Sequence, residues 1–363
     1  MRYKMTSEKD VNKKIVAKQR IAKWDNIKFF LIFFVVLGHF INKTVPNKYV
    51  FNLRNMERCV FIIYTFHMPA FIFISGLFAK KTIDNKRYDR IGSYLRLYFV
   101  MCFIRFAAKF FVYGKGGFSL FNESGVPWYA LAMFFMFLIM VFLRPYNKVE
   151  VIIGTIVLGM VIGYDGSLGD YLALPRVLTF LPFFVLGYYF DSKKFLEFIE
   201  KTHVKIASAI ILIGYVAFVH VKIKPLFFMY RYFLKGKKTY ADTFTEKIVG
   251  SSMTNYGWLY RLIYYIVVFI IVVAFFSIIP NVRIPFITTL GGRTLSVFAV
   301  HYVFIIILME GARWDKVFAG MKHQKLALLL VMGLSLAVQL LLSIKPLANL
   351  FNVIMSAPNA DKK

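Results

Sequence analysis

The chain has 363 residues, of which 59% are hydrophobic and 18% aromatic, and its mean hydropathy is +0.63. A soluble domain of this size cannot bury so much apolar surface, so the composition excludes a water-soluble globular protein and indicates a membrane protein. The formal net charge is +28, but Lys and Arg lie mostly between apolar segments instead of along one face. This distribution is typical of loops beside lipid headgroups, so we expect membrane lipids and no nucleic acid as partners.

Hydropathy over windows of about 19 residues predicts ten membrane-spanning segments. We therefore expect an all-α fold, a polytopic transmembrane helix bundle of about ten transmembrane helices. In chain order the predicted spans are 27–43, 59–79, 95–113, 126–143, 149–164, 172–190, 204–222, 258–279, 292–310 and 325–343. They divide the chain into a basic tail at 1–22, predicted to be cytoplasmic, a transmembrane domain at 23–354 and a C-terminal tail at 355–363.

The basic residues predict which side of the membrane each loop faces. The loop at 80–90 is rich in Lys and Arg, whereas the loop at 164–171 has neither. Cytoplasmic loops are enriched in these residues, so we expect a plasma-membrane protein with both termini in the cytoplasm. The exception is the predicted outer segment at 222–257, which carries seven basic residues.

That outer segment is also aromatic. Its aromatic residues include Phe227, Phe228, Tyr230, Tyr232 and Phe233. Amphipathic aromatic side chains are common at the membrane interface, so an interfacial location is the preferred interpretation. Stacking against a carbohydrate is the alternative.

The two cysteines, Cys59 and Cys102, are predicted to be packing residues. The topology puts one near the outer surface and the other inside the membrane, so no disulfide is expected. No residue spacing typical of a metal site occurs, and no metal is expected.

Three of the six histidines, His39, His67 and His301, fall inside predicted spans. At about 1.5 Å of rise per residue, all three lie at a similar depth, a little beyond the membrane midplane. Ionisable groups are costly there, and the plain explanation for any single one is an interhelical hydrogen bond. Their shared depth on three separate helices favours a common site.

Four cationic residues also lie within or beside predicted spans. Snorkelling to the lipid headgroups is the preferred explanation for Lys109 and Arg261. Arg105 and Arg176 lie deeper, so a facing partner or a bound substrate is expected to offset their desolvation.

The chemistry that suits these residues is acyl transfer. Neutral imidazole is the usual group that takes a proton from a hydroxyl attacking a carbonyl. No nucleophilic serine motif, carboxylate pair or glycine-rich phosphate loop accompanies the histidines. Direct transfer from a thioester to a sugar hydroxyl needs only a base, donors for the oxyanion and two aligned substrates.

The donor of such a reaction is a cytoplasmic acyl-CoA, whose phosphates require cations. We predict that the inner basic residues bind it, namely Lys80, Lys81, Arg90, Arg96 and Arg105. An ordinary positive-inside loop explains any one of these residues equally well.

The first span resembles membrane acyltransferase family 3. Residues 24–40 read WDNIKFFLIFFVVLGHF, in which Asp25, Lys28 and His39 match the family's Asp-Gly-Leu-Arg segment and its following histidine. Lys28 stands where Arg is commoner, which is similar to the fucose 4-O-acetylase branch. The resemblance implies ten core helices, an acyl-CoA donor, sugar O-acylation, a catalytic His39 and Lys28 as its cationic partner.

Later segments resemble the same family. They read FHMPAFIFISGLFAKK from residue 66, WYALAMFF from residue 128, PRVLTFLPFFVLGYYF from residue 175 and LGGRTLSVFAVHYVF from residue 290. We expect Trp128 and Arg176 to bind substrate, and His67 and His301 to assist catalysis. The family's Arg-x-x-Arg pair is not matched by Arg90 and Arg96, which are six residues apart.

These patterns predict a membrane-bound O-acyltransferase that moves an acyl group, expected to be acetyl, from acetyl-CoA to a hydroxyl of a cell-surface carbohydrate. His39 is the predicted general base, and Asp25 and Lys28, about 16 Å away along the helix, are assigned to the donor entrance. A transporter or flippase of a lipid-linked sugar is the first rival, disfavoured because Glu310 is the only acid close to a span. A structural subunit of a polysaccharide synthesis complex is the second, and proteins of that machinery are expected partners.

Overall fold

The computed structural model describes residues 21–45, 53–122, 125–244 and 252–356. Within these ranges it contains sixteen α-helices and no strand, which confirms the predicted all-α class. The first eight are α1 (Ala22–Thr44), α2 (Arg54–Asp84), α3 (Tyr88–Tyr113), α4 (Trp128–Leu143), α5 (Lys148–Val161), α6 (Leu174–Tyr189), α7 (Ser192–Glu200) and α8 (Thr202–Arg231). The others are α9 (Tyr240–Thr243), α10 (Ser252–Asn255), α11 (Gly257–Ile278), α12 (Pro285–Gly291), α13 (Thr294–Phe304), α14 (Trp314–Gly320), α15 (Gln324–Leu342) and α16 (Lys345–Met355).

Each of the ten predicted spans coincides with a helix. Seven helical segments of the described chain are long and apolar enough to cross a membrane. They are Ala22–Thr44, Arg54–Asp84, Tyr171–Tyr189, Thr202–Tyr230, Gly257–Ile278, Thr294–Gly311 and Gln324–Leu342. The segment Thr294–Gly311 consists of α13 and the π-helix Ile305–Gly311 that continues it. The fold is therefore a polytopic helix bundle. The predicted tails lie almost entirely outside the described residues.

Short connections make successive spans antiparallel, so the bundle has two ends. We name them the Lys28 end, where α1 begins, and the Lys235 end, where α8 finishes. The predicted span at 204–222 was too short at the Lys235 end, since α8 continues to Arg231 through Pro225. Membrane helices tolerate an internal proline where neighbouring groups satisfy the freed backbone.

Helices α2 and α6 pack closely against each other. A Cβ at Gly76 would lie 2.1 Å from the carbonyl oxygen of Phe184, and one at Gly187 would lie 2.2 Å from that of Phe73. Glycine at both positions lets the two backbones touch, as small residues do between membrane helices. This contact sets the position of the helix that carries His67.

At the Lys28 end, α1 is held by several polar contacts. The side chain of Asn26 donates to the carbonyl oxygens of Pro280 and Val282 and accepts from Thr288. A Cβ at Gly291 would lie 1.9 Å from the carbonyl oxygen of Asp25, so the turn between α12 and α13 also requires glycine. The start of α1 is thereby locked against the α12 segment.

The short helix α7 is amphipathic and covers the same end. Its last residue, Glu200, is ion-paired with the buried Lys23 and, at 2.7 Å, with Lys205. Partial burial opposes ionisation of Glu200, but the two ammonium groups outweigh that effect and lower the pKa of its carboxyl. Lys23 also donates to the carbonyl oxygen of Ile279 at 2.8 Å, so α7, α1 and α11 are tied together.

Three of the five aromatic residues before and after Arg231 are buried inside the protein, whereas Tyr232 is 36% exposed. Phe227, Tyr230 and Phe233 are at most 2% exposed and pack inside the protein. The snorkelling interpretation of Arg261 was wrong, since this residue is 2% exposed. Its guanidinium lies 3.9 Å from the Phe233 ring centroid and donates to the Phe233 carbonyl oxygen at 3.0 Å. A cation–π contact and a backbone hydrogen bond therefore fasten the outer segment onto α11.

Cys59 on α2 and Cys102 on α3 are both free thiols, in agreement with the prediction that they form no disulfide.

Candidate functional site

A cavity of about 230 Å³ opens toward the Lys235 end, and we call it the histidine cavity. Its lining includes His39, Asn42, Tyr64, His67 and Tyr302. Trp128, Arg176, Lys235 and Lys237 also line it, among others. Four predicted site residues from helices distant in sequence therefore line one cavity, namely His39 (α1), His67 (α2), Trp128 (α4) and Arg176 (α6). Helix α13 contributes Tyr302.

The third predicted histidine, His301, lies directly behind His39. The centroids of the two rings are 5.3 Å apart, and the ring of Tyr302 is 5.4 Å from that of His39. The Nδ1 atom of His301 lies 2.9 Å from the carbonyl oxygens of Val297 and Phe298. A carbonyl can only accept, so Nδ1 carries the proton and Nε2 is an acceptor in the neutral ring.

His67 is held in the same way, because its Nδ1 lies 2.6 Å from the carbonyl oxygen of Ile63 one turn earlier. Its ring packs edge-on against Tyr64 with centroids 5.0 Å apart. In contrast, no hydrogen bond joins His39 to another residue of the described chain. His39 is therefore the histidine whose ring nitrogens are available to a molecule in the cavity.

Trp128 and Arg176 lie together in the lining of the histidine cavity. The guanidinium of Arg176 is 5.1 Å from the Trp128 ring centroid, a cation–π distance. Arg176 is 6% exposed and lies 3.8 Å from the carboxylate of Asp170. Arg176 is therefore buried, and both an aromatic face and an acid offset its desolvation, which agrees with the expectation of a facing partner.

A second cavity, of about 590 Å³, lies toward the Lys28 end, and we call it the arginine cavity. Its lining includes Lys28, Ser75, Arg87, Arg90 and Tyr94. A neighbouring depression shares both arginines and adds Lys80 and Lys81. Three of the five residues predicted to bind acyl-CoA are thus found at one surface.

Arg87 belongs to the same inner basic segment as the residues predicted to bind acyl-CoA, and it lines the arginine cavity. Residues 87–90 read Arg-Tyr-Asp-Arg, which has the Arg-x-x-Arg spacing that was sought at Arg90 and Arg96. The earlier comparison of Arg90 with Arg96 was therefore wrong. Arg96 instead donates to the carbonyl oxygens of Ile354 and Ser356 and fastens α16 to α3.

The remaining predicted residues lie in different surroundings. Lys28 and Asp25 form an ion pair at 2.7 Å. Asp25 lines a separate cavity beside α12, whereas Lys28 lines the arginine cavity. Arg105 is a partly buried residue of α3 and is not among the lining residues of these cavities.

Tyr129 lies between the two main cavities. Its hydroxyl is 3.0 Å from Ser75 Oγ, which lines the arginine cavity, and the preceding residue, Trp128, lines the histidine cavity. Its ring packs against Phe71 and Phe298. Along α2, Ser75 is about 12 Å from His67, so only a thin layer of side chains separates the cavities.

Lys235 and Lys237 are the main additions that sequence reasoning missed. They belong to the outer segment that was predicted to lie at the interface. The sequence indicated these two lysines only through the excess of basic residues in the predicted outer segment. That excess argued against the predicted membrane orientation and did not reveal a binding site. Asn42, Tyr64 and Tyr302 were also missed, because nothing in the local sequence separates them from ordinary polar or aromatic span residues.

Comparison with known proteins gives one match. A family model described as "Acyltransferase domain" matches residues 21–344, which is most of the chain and includes every residue named above as lining the histidine cavity. No curated protein and no solved structure shows significant similarity to the chain.

Proposed function

Because the chain belongs to acyltransferase family 3, we propose that it is a membrane O-acyltransferase that uses an acyl-CoA donor and a carbohydrate acceptor. The acyl group we propose is acetyl. The observation that carries this proposal is the position of His39, an imidazole without a hydrogen-bonding partner in the described chain, at the wall of a cavity rich in aromatic and polar groups.

The arginine cavity supports the donor half of the proposal. Lys28, Arg87 and Arg90 offer cations to the phosphates of CoA at the Lys28 end, which we propose to be cytoplasmic. The extended arm of CoA would carry the thioester past Ser75 and Tyr129 toward His39. Passage requires the Tyr129 side chain to move, because its hydroxyl is bonded to Ser75.

The histidine cavity supports the acceptor half. Trp128, Tyr64 and Tyr302 provide ring faces of the kind that contact sugars, and the cavity opens toward the opposite end. The acceptor would therefore come from the outer side while the donor comes from the inner side. We propose the plasma membrane as the location, with both termini in the cytoplasm.

In the proposed reaction, His39 accepts the proton of the acceptor hydroxyl as its oxygen bonds to the thioester carbonyl carbon. The tetrahedral intermediate then collapses, the carbon–sulfur bond breaks, and the imidazolium returns the proton to the CoA sulfur. The products are an O-acyl ester and CoA. His301, which lies 5.3 Å from His39 and has Nε2 as an acceptor, would orient the His39 ring, so we treat it as a positioning residue.

Substitution of His39 tests this proposal. We expect His39→Gln and His39→Ala to lower the rate of acetyl transfer from labelled acetyl-CoA about a hundredfold or more, the usual contribution of a general base. His203→Gln is the matched control, since His203 is solvent-exposed at the Lys28 end. Undiminished O-acetylation in both His39 variants would remove the central assignment.

The alternative function, transport of a lipid-linked sugar, has less support than acyl transfer. Glu310 is ion-paired with Lys43 and accepts a hydrogen bond from Tyr113. Glu57 at the start of α2 is fully buried, and Asp25 in α1 is 3% exposed and paired with Lys28. None of these three acids lines the histidine cavity, where a proton-coupled transporter would need one.

A further inference from the structure

The histidine cavity has a strongly positive lining. Arg176, Lys235 and Lys237 all reach it, and within the described chain no carboxylate is among its lining residues. A neutral sugar does not require three cations in a cavity of about 230 Å³. Partial removal of a cation from water costs free energy unless an anion lies close to it. The lining therefore bears on the charge of the molecule that binds in this cavity.

One carboxylate just outside the lining is shared by two of these cations. Asp170 lies 3.8 Å from the guanidinium of Arg176 and 3.1 Å from the ammonium of Lys237. A single negative charge between two positive charges leaves a net positive charge. The same carboxylate also fixes both cations in place, so the positive charge is preorganised at the mouth of the cavity.

The third cation is held close to the histidines. Lys235 donates to Asn42 Oδ1 at 2.9 Å, and its ammonium lies 4.4 Å from the Tyr230 ring centroid and 5.0 Å from that of Tyr64. The Tyr64 ring in turn lies 5.0 Å from the ring of His67 and 6.5 Å from that of His39. Asn42 and the two tyrosine rings are neutral groups that orient the ammonium toward the cavity that Lys235 lines.

The geometry points to an acceptor that is an anionic carbohydrate, and we propose that a phosphate or carboxylate beside the acylated hydroxyl is bound by Lys235, Lys237 and Arg176. This inference rests on the proposed function for the identity of the reaction. Charge-assisted hydrogen bonds to the anion would hold the neighbouring hydroxyl near His39.

A series of matched acceptors tests the proposal. Purified protein would receive labelled acetyl-CoA with maltotriose, with maltotriose carrying a terminal phosphate, or with the corresponding terminal uronic acid. We expect KM to be about tenfold lower for at least one of the anionic acceptors than for the neutral one, and this difference to shrink as salt is raised. The two anionic arms separate phosphate from carboxylate recognition. Equal KM values for all three acceptors would overturn the inference.

Variants that each remove one positive charge test which residues bind the anion of the acceptor. We expect Lys237→Gln and Lys235→Gln each to remove the roughly tenfold KM advantage of the anionic acceptor over the neutral one, because each loses a charge-assisted hydrogen bond to the anion. Lys238→Gln is the matched control, because Lys238 is the next residue in the chain, carries the same charge and is solvent-exposed. A similar effect of all three substitutions would show a general surface-charge effect and contradict the proposed site.

Direct binding separates failure of this inference from failure of the proposed function. Calorimetric titration of the same three oligosaccharides, without acetyl-CoA, requires no chemical step. Preferential binding of an anionic oligosaccharide that is lost in Lys237→Gln would support the anion site even if no acetyl group were transferred. Acetyl transfer without any preference in binding or KM would retain the proposed function and reject the anionic acceptor.

Discussion

His67 and His301 each bond through Nδ1 to a carbonyl oxygen one turn earlier in their own helix. This bond is local to the helix, so the tautomer of each ring follows from secondary structure and needs no distant partner. His39 lacks such a bond within the described chain, and the ring contacts with His301 and Tyr302 hold it instead. The three histidines therefore differ in freedom, which supports different roles for them in the proposed reaction.

At the opposite cavity, single residues are predicted to control donor affinity. We expect Arg87→Gln and Arg90→Gln each to raise KM for acetyl-CoA about tenfold, because each would lose a charge-assisted hydrogen bond to phosphate. Acetyl-pantetheine carries the same thioester without the nucleotide phosphates, so its KM should not change. Steady-state kinetics with both donors measures the difference.

Lys194→Gln is the control for these arginine variants, since Lys194 is an exposed cation at the Lys28 end that lines neither cavity. An equal loss of activity with acetyl-CoA and acetyl-pantetheine would mean that the two arginines support the fold and do not bind phosphate.

At the scale of helices, the contact between α2 and α6 leaves no room for a side chain at two positions. The backbones touch at Gly76 and Gly187, and α2 carries His67 and Ser75, so this contact sets the spacing of both cavities. Helix propensity alone would favour alanine over glycine by about 1 kcal/mol at an ordinary helix position. The two glycines are explained by the approach of the backbones and not by local helix preference.

Substitution at the contact should therefore be destabilising. In Gly76→Ala the new Cβ would lie 2.1 Å from a backbone oxygen of α6, so the helices must separate, at a cost of about 1–3 kcal/mol. Gly214→Ala in α8, where no atom lies within 4 Å, should be neutral or slightly stabilising. Melting temperatures of the purified variants compare the two. Equal melting temperatures would contradict the close approach.

For the whole molecule, the two cavities at opposite ends give the bundle a direction. The proposed reaction needs the Lys28 end to face the cytoplasm, where the donor is, and the Lys235 end to face outward. Residues 232–244 of the outer segment carry Lys235 and Lys237 into the histidine cavity, which explains why a predicted outer loop is so basic. Its charge serves the site, so it need not conflict with the positive-inside rule.

Labelling of single cysteines tests this orientation. In a background with Cys59→Ala and Cys102→Ala, we expect Lys238→Cys to react with a membrane-impermeant maleimide in intact cells. Glu197→Cys, on the exposed face of α7, should react only after the cells are opened. The reverse pattern would invert the orientation and with it the assignment of donor and acceptor cavities.

The sequence by itself determined the class of the protein, the helical nature of every span and the three intramembrane histidines. These features depend on composition and on position along a helix, which hydropathy and the helical rise fix locally. Only the tertiary structure decided that His39 and His301 face each other, that Arg261 is buried against Phe233, and that Lys235 and Lys237 enter the histidine cavity. The physical reason is that local periodicity gives the depth of a residue, whereas its neighbours depend on how distant helices pack against one another.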